Sequence, residues 1–359
     1  AGDVKELIET ASESVLSGVA EVFGGTGRTS ADDAFVLPAA TVERRALERE
    51  FVRPLVEGDQ VRDWRCEAPL VVITPYGDEP EVEPLSSMRA IARLLWRTRT
   101  TLGNRQTFGK RSYFEEGRAW WEWHQITPSR LRYEHCITFA EVATHNHFVL
   151  DRGGKVFKQT APVIKLPAGS SEDAHLGLLG LLNSSVTCFW LKQVCHNKGE
   201  GGGTRVEAGN SALGDEAWKS HFAFNSTKVA ELPLPETRPL PEARALDNLA
   251  RELAELLPTA VLASADDQVG DLAAQLETAQ RQAQNRRGQM IAAQEELDWA
   301  CYALYGLLPT GTTPESLRPP EPPPVRLGER AFEIALARRM AAGSEQTTWF
   351  ERHGSTPIT

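Results

Sequence analysis

The stretch LPLPETRPLPE, residues 232–242, separates two parts of the chain that differ in character. Proline fixes φ at about −65° and has no backbone N–H, so a proline-rich run is typical of a stiff, extended connector. We therefore predict a linker at 233–242, between a domain at 1–232 and a helical region at 243–308. A final segment at 309–359 contains a second proline-rich linker and one more helix, and its end suggests a truncated chain.

Beyond the linker the sequence predicts one long helix. Apolar residues recur at every seventh position, and a second seam, interrupted by Arg286, consists mostly of alanine. The two series are Leu262, Val269, Leu276, Ala283, Met290, Leu297 and Leu304, and Ala265, Leu272, Ala279, Ala293 and Ala300. A sustained heptad repeat is typical of a helix that packs in coiled-coil fashion, about 65 Å long if continuous. We favour packing on the shorter helix at 243–257, which makes an internal hairpin, over packing on a second chain.

Before the linker the pattern is mixed. Helical spacing occurs at 42–56 and 85–102, and an apolar helix follows at 171–193 with Ser170 or Ser171 as its N-cap. Between about 125 and 167 the runs CITFAEV, HFVLDRGGKVFKQ and PVIKLP read as strands, with DRGG as a hairpin turn. The predicted fold class is α+β: a mixed α/β domain followed by a mostly helical domain with a long coiled-coil-like helix.

The charge of the chain is unevenly distributed. The net charge is −10, yet residues 86–165 contain 14 Lys and Arg against 6 Asp and Glu, a local charge of +8. The same window holds Trp96, Tyr113, Trp120, Trp121, Trp123 and Tyr133. Cations interleaved with aromatic rings suit a surface that contacts phosphates and stacks on bases. The alternative is a solvated basic face around an aromatic core.

Other global features suggest a cytoplasmic protein without a membrane partner. The sequence has no apolar run of about 18 residues and no signal peptide at its amino end. Its five cysteines are scattered and odd in number, so we expect reduced thiols rather than a disulfide framework.

The glycine-rich turn GGTG at 24–27 raises the question of a cofactor loop. Such a loop needs a following helix whose N-terminus faces the ligand and an acidic residue about 20 positions on. Here the chain enters RTSADDAFVLP, which is too short and ends at a proline. We therefore expect no cofactor in this chain. The turn, with Thr26 and Arg28, could instead hold a DNA phosphate through exposed amides.

No catalytic or metal-binding constellation emerges from the sequence. The run THNHF, with His145 and His147, and the run CFWLKQVCH, with Cys188 and Cys195, lack a matching ligand pair at zinc spacing. P-loop, nucleophile-elbow and HExxH motifs are missing from the sequence. We predict neither a metal nor catalytic residues, and a free-standing nuclease is disfavoured for the same reason.

A series of segments, taken in order, resembles a known family. GGTGRTSADDAFVL, PLVEGDQVRDW, GRAWWEWHQ, GGKVFKQTAPVIKLP, LGLLNSSVTCFWLKQVCHNKG and FNSTKVAELPLP are similar to the target-recognition region of large adenine-specific DNA methyltransferases related to type IIG restriction-modification enzymes. QEELDWACYALYGLL and GERAFEIALARRMAAGSEQTTWFERHGSTPIT resemble a narrower group, the methyltransferases of the phage growth limitation and bacteriophage exclusion (BREX) defence systems. The resemblance covers essentially the whole chain.

The chain departs from that family in one respect. The resemblance implies a catalytic domain with an S-adenosylmethionine loop and an Asn/Asp-Pro-Pro-Tyr/Phe motif, and neither occurs in this sequence. We therefore expect the chain to be the carboxyl-terminal part of a full-length enzyme that uses S-adenosylmethionine, and to be non-catalytic alone. Its expected partners are double-stranded DNA, the catalytic methyltransferase domain and other phage-defence proteins.

Because the target base must leave the helix before methylation, another element has to hold the duplex. The resemblance and the basic window together assign this task to residues 20–230. The predicted DNA-contacting residues are Thr26, Arg28, Arg105, Lys110, Arg111, Arg118, Lys155, Lys158, Lys198 and Arg205. The alternative function is a protein-interaction scaffold of a defence complex with no direct role in DNA binding.

Overall fold

The computed structural model describes residues 2–77, 81–127, 130–131, 133–198, 221–264, 272–308, 310–313, 325–326, 331–353 and 357. Within them, short strands in several small sheets accompany many helices, so the predicted α+β class is confirmed. No single described helix is long and apolar enough to cross a membrane. Two helices bent by 63° at their junction, Glu172–Leu182 and Ser185–Val194, pass that test only as a pair, on length and composition alone.

The helices of the described part vary from a single turn to 33 residues. In chain order they are α1 (Gly2–Thr10), α2 (Asp32–Phe35), α3 (Ala40–Arg45), α4 (Arg89–Leu95), α5 (Arg99–Gly103), α6 (Glu172–Leu182), α7 (Ser185–Val194), α8 (Ser226–Ala230), α9 (Leu240–Glu255), α10 (Pro258–Ser264), α11 (Leu272–Leu304), α12 (Ala331–Ala341) and α13 (Trp349–His353). Short 3-10 turns occur at Leu16–Gly18, Arg49–Phe51, Gly58–Gln60 and Trp96–Thr98.

The strands are short. They are β1 (Ser14–Val15), β2 (Glu21–Phe23), β3 (Gly27–Arg28), β4 (Val36–Pro38), β5 (Val52–Val56), β6 (Val61–Arg62), β7 (Arg65–Cys66), β8 (Leu70–Ile73), β9 (Gln125–Ile126), β10 (Cys136–Phe139), β11 (Val142–Ala143), β12 (Phe148–Asp151), β13 (Val156–Phe157), β14 (Val163–Lys165), β15 (His196–Asn197), β16 (Phe222–Ala223) and β17 (Pro233–Leu234).

Two four-stranded sheets organise the amino-terminal part. One has the order β12-β10-β14-β2 and is antiparallel throughout, whereas the other, β13-β5-β8-β4, contains a parallel β13–β5 pair. A three-stranded sheet β11-β16-β15 and the pairs β1–β17, β3–β9 and β6–β7 complete the described pairing. Because β2 precedes the glycine-rich turn and pairs with β14, that turn is brought beside the chain at 156–160.

The structure corrects two predicted helices and the predicted DRGG hairpin, because β12 pairs with β10 whereas β13 pairs with β5 in the other four-stranded sheet. The helix predicted at 42–56 ends at Arg45, because Ala46 is left-handed at φ 47° and residues 52–56 pair on both edges as β5. The helix predicted at 85–102 begins only at Arg89 and is divided into α4, a 3-10 turn and α5. In both places a tertiary partner outweighs local helical periodicity, which by itself is a weak determinant. The predicted N-cap Ser171 is confirmed, since its Oγ accepts from the Ala174 N–H.

Three hydrophobic cores occur in the described residues, of which two are large and the third is a small cluster around Ala292 and Ile334. Of the two large cores, the larger joins the β12-β10-β14-β2 sheet to helices α6, α7, α9 and α11, and the smaller surrounds Phe35, Ile73, Ile91, Trp120 and Trp123. We call the smaller one the aromatic core. The larger core also includes Leu232 and Leu234, and β17 pairs with β1 within the stretch predicted as a linker. The division into domains at 233–242 therefore stays a prediction, and side chains from both sides of it share one core.

Helix α11 packs along α9. Arg286 on α11 forms an ion pair with Glu252 on α9, with 2.7 Å between Nε and Oε2. Toward the other ends of these helices, Ala243 and Leu297 both lie against Gly180 of α6. The two helices are therefore antiparallel within one chain. The heptad positions Ala265 and Val269 lie outside the described residues, so the structure describes α10 and α11 as separate helices.

Candidate functional site

The glycine-rich turn is packed against the chain at 157–159. The Thr26 N–H donates to Phe157 O at 2.9 Å, and the Phe157 N–H donates to Thr26 Oγ1 at 3.2 Å. A Cβ at Gly25 would lie 2.8 to 2.9 Å from backbone atoms of this segment, closer than real Cβ atoms come. Glycine is therefore needed at position 25 so that the backbone of the turn can lie close to the backbone at 157–159. Thr26, predicted to contact DNA, is instead buried with its hydroxyl bonded, so its side chain does not reach a phosphate.

A cleft of about 450 Å³ lies beside this turn, and its lining includes Arg28, Asp32, Trp123, Lys158 and Thr160. Two of the predicted contact residues, Arg28 and Lys158, thus come together here. Lys158 Nζ is 3.0 Å from Asp32 Oδ2 and also pairs with Glu57. The positive charge of Lys158 is therefore compensated within the protein, whereas Arg28 on β3 is exposed.

Arg105, another predicted contact, has a structural role. Its guanidinium donates to the carbonyl oxygens of Thr29 at 2.5 Å, Glu122 at 2.7 Å, and Leu102 and Trp120 at 3.0 Å. Its Cζ also lies 4.4 Å from the centre of the Tyr113 ring. These bonds join the segment after the glycine-rich turn to the segments on either side of the aromatic core. Because its donors are used in this way, Arg105 does not point a free guanidinium at a ligand.

Most aromatic rings of the basic window belong to the aromatic core or close over it. Tyr113, Trp120 and Trp123 are buried, and the Trp123 indole N–H donates to Ile73 O at 2.9 Å. The prediction that the rings of the window stack on bases is therefore wrong for these three, and the alternative, a basic face around an aromatic core, describes them. Trp96 differs, because 60% of its surface is exposed.

Four exposed cations surround the exposed rings. Arg28, Arg99, Lys110 and Arg111 are exposed and, among the residues that the structure describes, form no ion pair. We call these four cations, with the rings of Trp96 and Phe108, the basic surface. Contacts connect its parts: Arg99 lies 5.1 Å from the ring centres of both Trp96 and Phe114.

His124 connects the remaining members of the basic surface. Its ring centre lies 4.8 Å from that of Phe108, and its Nδ1 is 3.3 Å from the Tyr113 hydroxyl. Desolvation lowers the pKa of His124, and the positive charges of Arg105, Arg118 and Arg28 lower it further. Desolvation is the larger cause, and the contributions of the three arginines indicate that they lie near the imidazole.

The other predicted contacts are neutralised or stand apart. Arg118 pairs with Glu122, and Lys155 pairs with the buried Asp151. Lys198 is exposed at the end of β15, and its N–H donates to His221 O at 2.5 Å, but no described contact joins it to the basic surface. Arg205 lies outside the described residues. Of the ten predicted residues, Arg28, Lys110 and Arg111 thus remain as exposed cations without an ion pair in the described part of the chain, and Arg111 also donates to Glu115 O at 2.9 Å.

Sequence reasoning missed three members of the site: Trp96 as an exposed ring, Phe108 and Arg99. Phe108 occurs in TFGKR, where a glycine next to two cations indicates an exposed turn, and that signal was available. Arg99 belongs to the run of arginines from Arg89 onward. Helical spacing could not predict the exposure of Arg99, because the α-helix is interrupted by a 3-10 turn at Trp96–Thr98.

Potential metal ligands remain scattered in the described part of the chain, where no group of three His, Cys, Asp or Glu is placed to hold an ion. Burial lowers the pKa of His147 to about 4, so this side chain is neutral at neutral pH. His135 Nε2 lies 3.3 Å from Glu172 Oε2, in a network that also contains Arg152. These histidines are explained by packing and pairing within the fold.

Comparison with known proteins indicates the class first: the chain is similar in sequence to adenine-specific methyltransferases. The relative is the adenine-specific methyltransferase PglX of Streptomyces coelicolor, which is 43% identical over 365 residues. The match covers 99% of this chain and 29% of that protein, so the chain spans less than a third of its relative's length. The resemblance found in the sequence is confirmed to this extent.

Two further comparisons gave matches, one to a family model over part of the chain and one to a solved structure. A family described as a domain of unknown function, DUF7008, matches residues 290–359. Among solved structures, the type IIL restriction-modification enzyme MmeI in complex with DNA covers 84% of this chain and 34% of its own, with a TM-score of 0.47 and 13% identity. The likeness to MmeI is therefore distant.

Proposed function

We propose that this chain is the DNA-binding target-recognition part of a site-specific adenine methyltransferase in anti-phage defence, and that the basic surface contacts the duplex. The observation that carries the proposal is the group of four exposed, unpaired cations in a chain whose net charge is −10. In the proposal, Arg28, Arg99, Lys110 and Arg111 supply the positive charge beside the exposed rings. In a protein whose net charge is negative, a local group of cations is the part of the surface that attracts a polyanion such as DNA.

The electrostatics set a quantitative expectation. Each phosphate that a cation neutralises contributes about −0.9 to the slope of log affinity against log salt on duplex DNA. Four contacts therefore give a slope of about −3.6, which is a loss of about 150-fold between 50 and 200 mM salt. The ion pairs of Arg118, Lys155 and Lys158 remove them from this count, because a cation that already has a carboxylate partner releases few counterions.

The proposal divides the labour between two parts of a longer enzyme. Methylation of an adenine requires the base to leave the helix, while other groups hold the duplex in register. We assign the holding to this chain, and the S-adenosylmethionine chemistry to a catalytic domain outside it. In support, the sequence contains no Asn/Asp-Pro-Pro-Tyr/Phe motif, and it matches 29% of the methyltransferase PglX.

The helical part, in this proposal, braces the recognition part. Arg152, in the turn that follows β12, donates to Asp247 of α9 at 2.6 Å and to Glu172 of α6 at 2.7 Å. The Ser185 N–H donates to Asp298 of α11 at 2.7 Å. These bonds connect α9 and α11 to the larger core at two separate points, as expected of a scaffold that holds DNA-binding segments rigidly.

The test measures binding of a fluorescently labelled, mixed-sequence duplex by anisotropy at salt concentrations from 50 to 200 mM. The double variant K110A/R111A should reduce the salt slope by about 1.8 and weaken binding at least about tenfold at 0.1 M salt. The matched control is R251A/R287A, which removes two exposed arginines from α9 and α11. If K110A/R111A and R251A/R287A give the same slope of log affinity against log salt, the basic surface does not bind DNA. If binding of the duplex does not depend on salt at all, the interaction scaffold is favoured.

A further inference from the structure

We propose that Phe108 is an apolar wedge that inserts between neighbouring base pairs of the bound duplex, while Lys110 and Arg111 hold the flanking phosphates. The inference rests on the proposed function, DNA binding at the basic surface, and adds the contact that deforms the DNA. It makes Phe108 a determinant of which base steps the protein accepts, because steps differ in the cost of unstacking.

The turn that carries Phe108 is held by its own hydrogen bonds. The Thr107 N–H donates to Arg111 O at 2.8 Å, and the Lys110 N–H donates to Thr107 O at 3.0 Å. The Gly109 N–H donates to Thr107 Oγ1 at 3.2 Å, and Lys110 adopts the left-handed region at φ 60°. The backbone of the turn is thus fixed before any ligand arrives. None of these bonds involves the phenyl ring, so the ring is free for a contact outside the protein.

The phenyl ring of Phe108 is unusually exposed. At 78%, its exposed fraction is the largest among the exposed large apolar side chains of the described chain. One ring contact remains, with His124 at 4.8 Å and an angle of 51° between the ring planes. An apolar ring left in water gains free energy when it is covered, so the turn is arranged to bind something apolar at its tip.

The surroundings of the ring indicate what covers it. Within the described residues, Lys110 and Arg111 have no ion pair and stand two and three residues from Phe108 on a narrow turn. A single ring beside two cations, on a turn that Glu116 contacts through Thr107, buries too little apolar area for a stable protein interface, which takes about 800 Å² per partner. The same arrangement matches a base step, whose apolar faces lie between two negatively charged backbones. Wedges of this kind enter a groove and kink the duplex.

The experiment uses the whole chain and a mixed-sequence duplex fragment treated with permanganate, which oxidises thymines that are unstacked. Wild-type protein should raise thymine reactivity at bound sites. F108A should abolish this increase and weaken binding about tenfold, while its salt slope stays within error of wild type, because no charge is removed. F108L, which keeps an apolar tip, should retain part of the reactivity. The control L7A removes an exposed leucine on α1, 53% exposed, and should match wild type.

The outcomes separate this inference from the proposed function. If F108A and wild type oxidise thymines equally, the wedge is refuted, although a steep salt slope would leave DNA binding at the basic surface intact. If F108A weakens binding but wild type never raises thymine reactivity, Phe108 contacts DNA without inserting, and the wedge is again refuted. If wild type shows no salt-dependent binding to duplex, both proposals fail, and an acidic protein partner becomes the explanation of the basic surface.

Discussion

Replacing Arg105 by alanine should destabilise the fold and leave the four exposed cations of the basic surface in place. The guanidinium of Arg105 donates to four carbonyl oxygens, those of Thr29, Leu102, Trp120 and Glu122, and stacks over Tyr113. In R105A all four acceptors lose this donor together. The segments that contain Thr29, Leu102 and Trp120–Glu122 are then no longer connected by one side chain.

The magnitude follows from these contacts. A hydrogen bond to a charged partner contributes about 1.5 to 3 kcal/mol before losses, but desolvation of the guanidinium offsets part of this and water can reach some of the freed carbonyls. Allowing about 1 kcal/mol for each of four bonds, less for those that water replaces, and about 0.5 kcal/mol for the ring contact, the free energy of unfolding should fall by about 3 to 4.5 kcal/mol. With an m-value of about 3 kcal/mol/M, the urea midpoint should drop by about 1 to 1.5 M.

Urea unfolding followed by tryptophan fluorescence measures this directly, because Trp120 and Trp123 are in the aromatic core. The matched control is R99A: Arg99 contacts two rings but donates no hydrogen bond in the described structure, so its midpoint should move little. In duplex binding we expect the opposite ranking, with R99A affected more than R105A. R99A should lose about 0.9 from the salt slope, while R105A, assayed well below its melting temperature, should keep the wild-type slope. A stable R105A protein with a reduced salt slope would show that Arg105 contacts DNA after all.

Two other changes test the scaffold. Burial raises the pKa of Asp298 from its ordinary 3.8 to about 6, so the folded state binds more protons at this carboxyl than the unfolded state between these values, and its contribution to stability should fall by about 2 kcal/mol as pH rises from 4 to 7. His147, whose pKa is lowered to about 4, contributes in the opposite direction, so the measured quantity is the difference between wild type and D298N in urea melts. A difference that does not change with pH would exclude this role of Asp298. G58A should lose about 1 to 3 kcal/mol in the same assay, because its Cβ would lie 2.1 Å from Thr160 O. G18A, where nothing lies within 4 Å, is the control, and equal losses would contradict the packing argument.

The predicted DNA-contacting residues separate by what each charge already does. Lys155 and Lys158 have carboxylate partners, so reversing their charge would disturb the fold as well as any DNA contact. Lys110 and Arg111 have no ion pair in the described chain, and their removal should change binding with little loss of stability. Exposed charges of this kind contribute little to folding, so they are the sharper probes of function.

How far the sequence predicts this fold depends on whether the relevant interaction is local. The helix at Leu272–Leu304 was predictable, because its seven-residue apolar repeat is a property of neighbouring turns. The strands at 136–139 and 148–151 were predictable for the same reason, since a short apolar run is a local signal, although the DRGG turn after the second run does not close a hairpin. At 42–56 local helical spacing was misleading, because pairing of β5 with β8 and β13 is set by chain far away in sequence.

By itself, the sequence determined the α+β class, the long helix, the excess of cations at 86–165 and the resemblance to adenine-specific methyltransferases. Only the tertiary structure decided which of those cations are free. Folding places carbonyl oxygens beside Arg105 and carboxylates beside Lys158, but within the described part of the chain it gives the Lys110 side chain neither partner. These partners are distant in sequence: Asp32 precedes Lys158 by 126 positions. A charge contributes to ligand binding only if the fold has not already compensated it, and compensation is a property of three-dimensional neighbours.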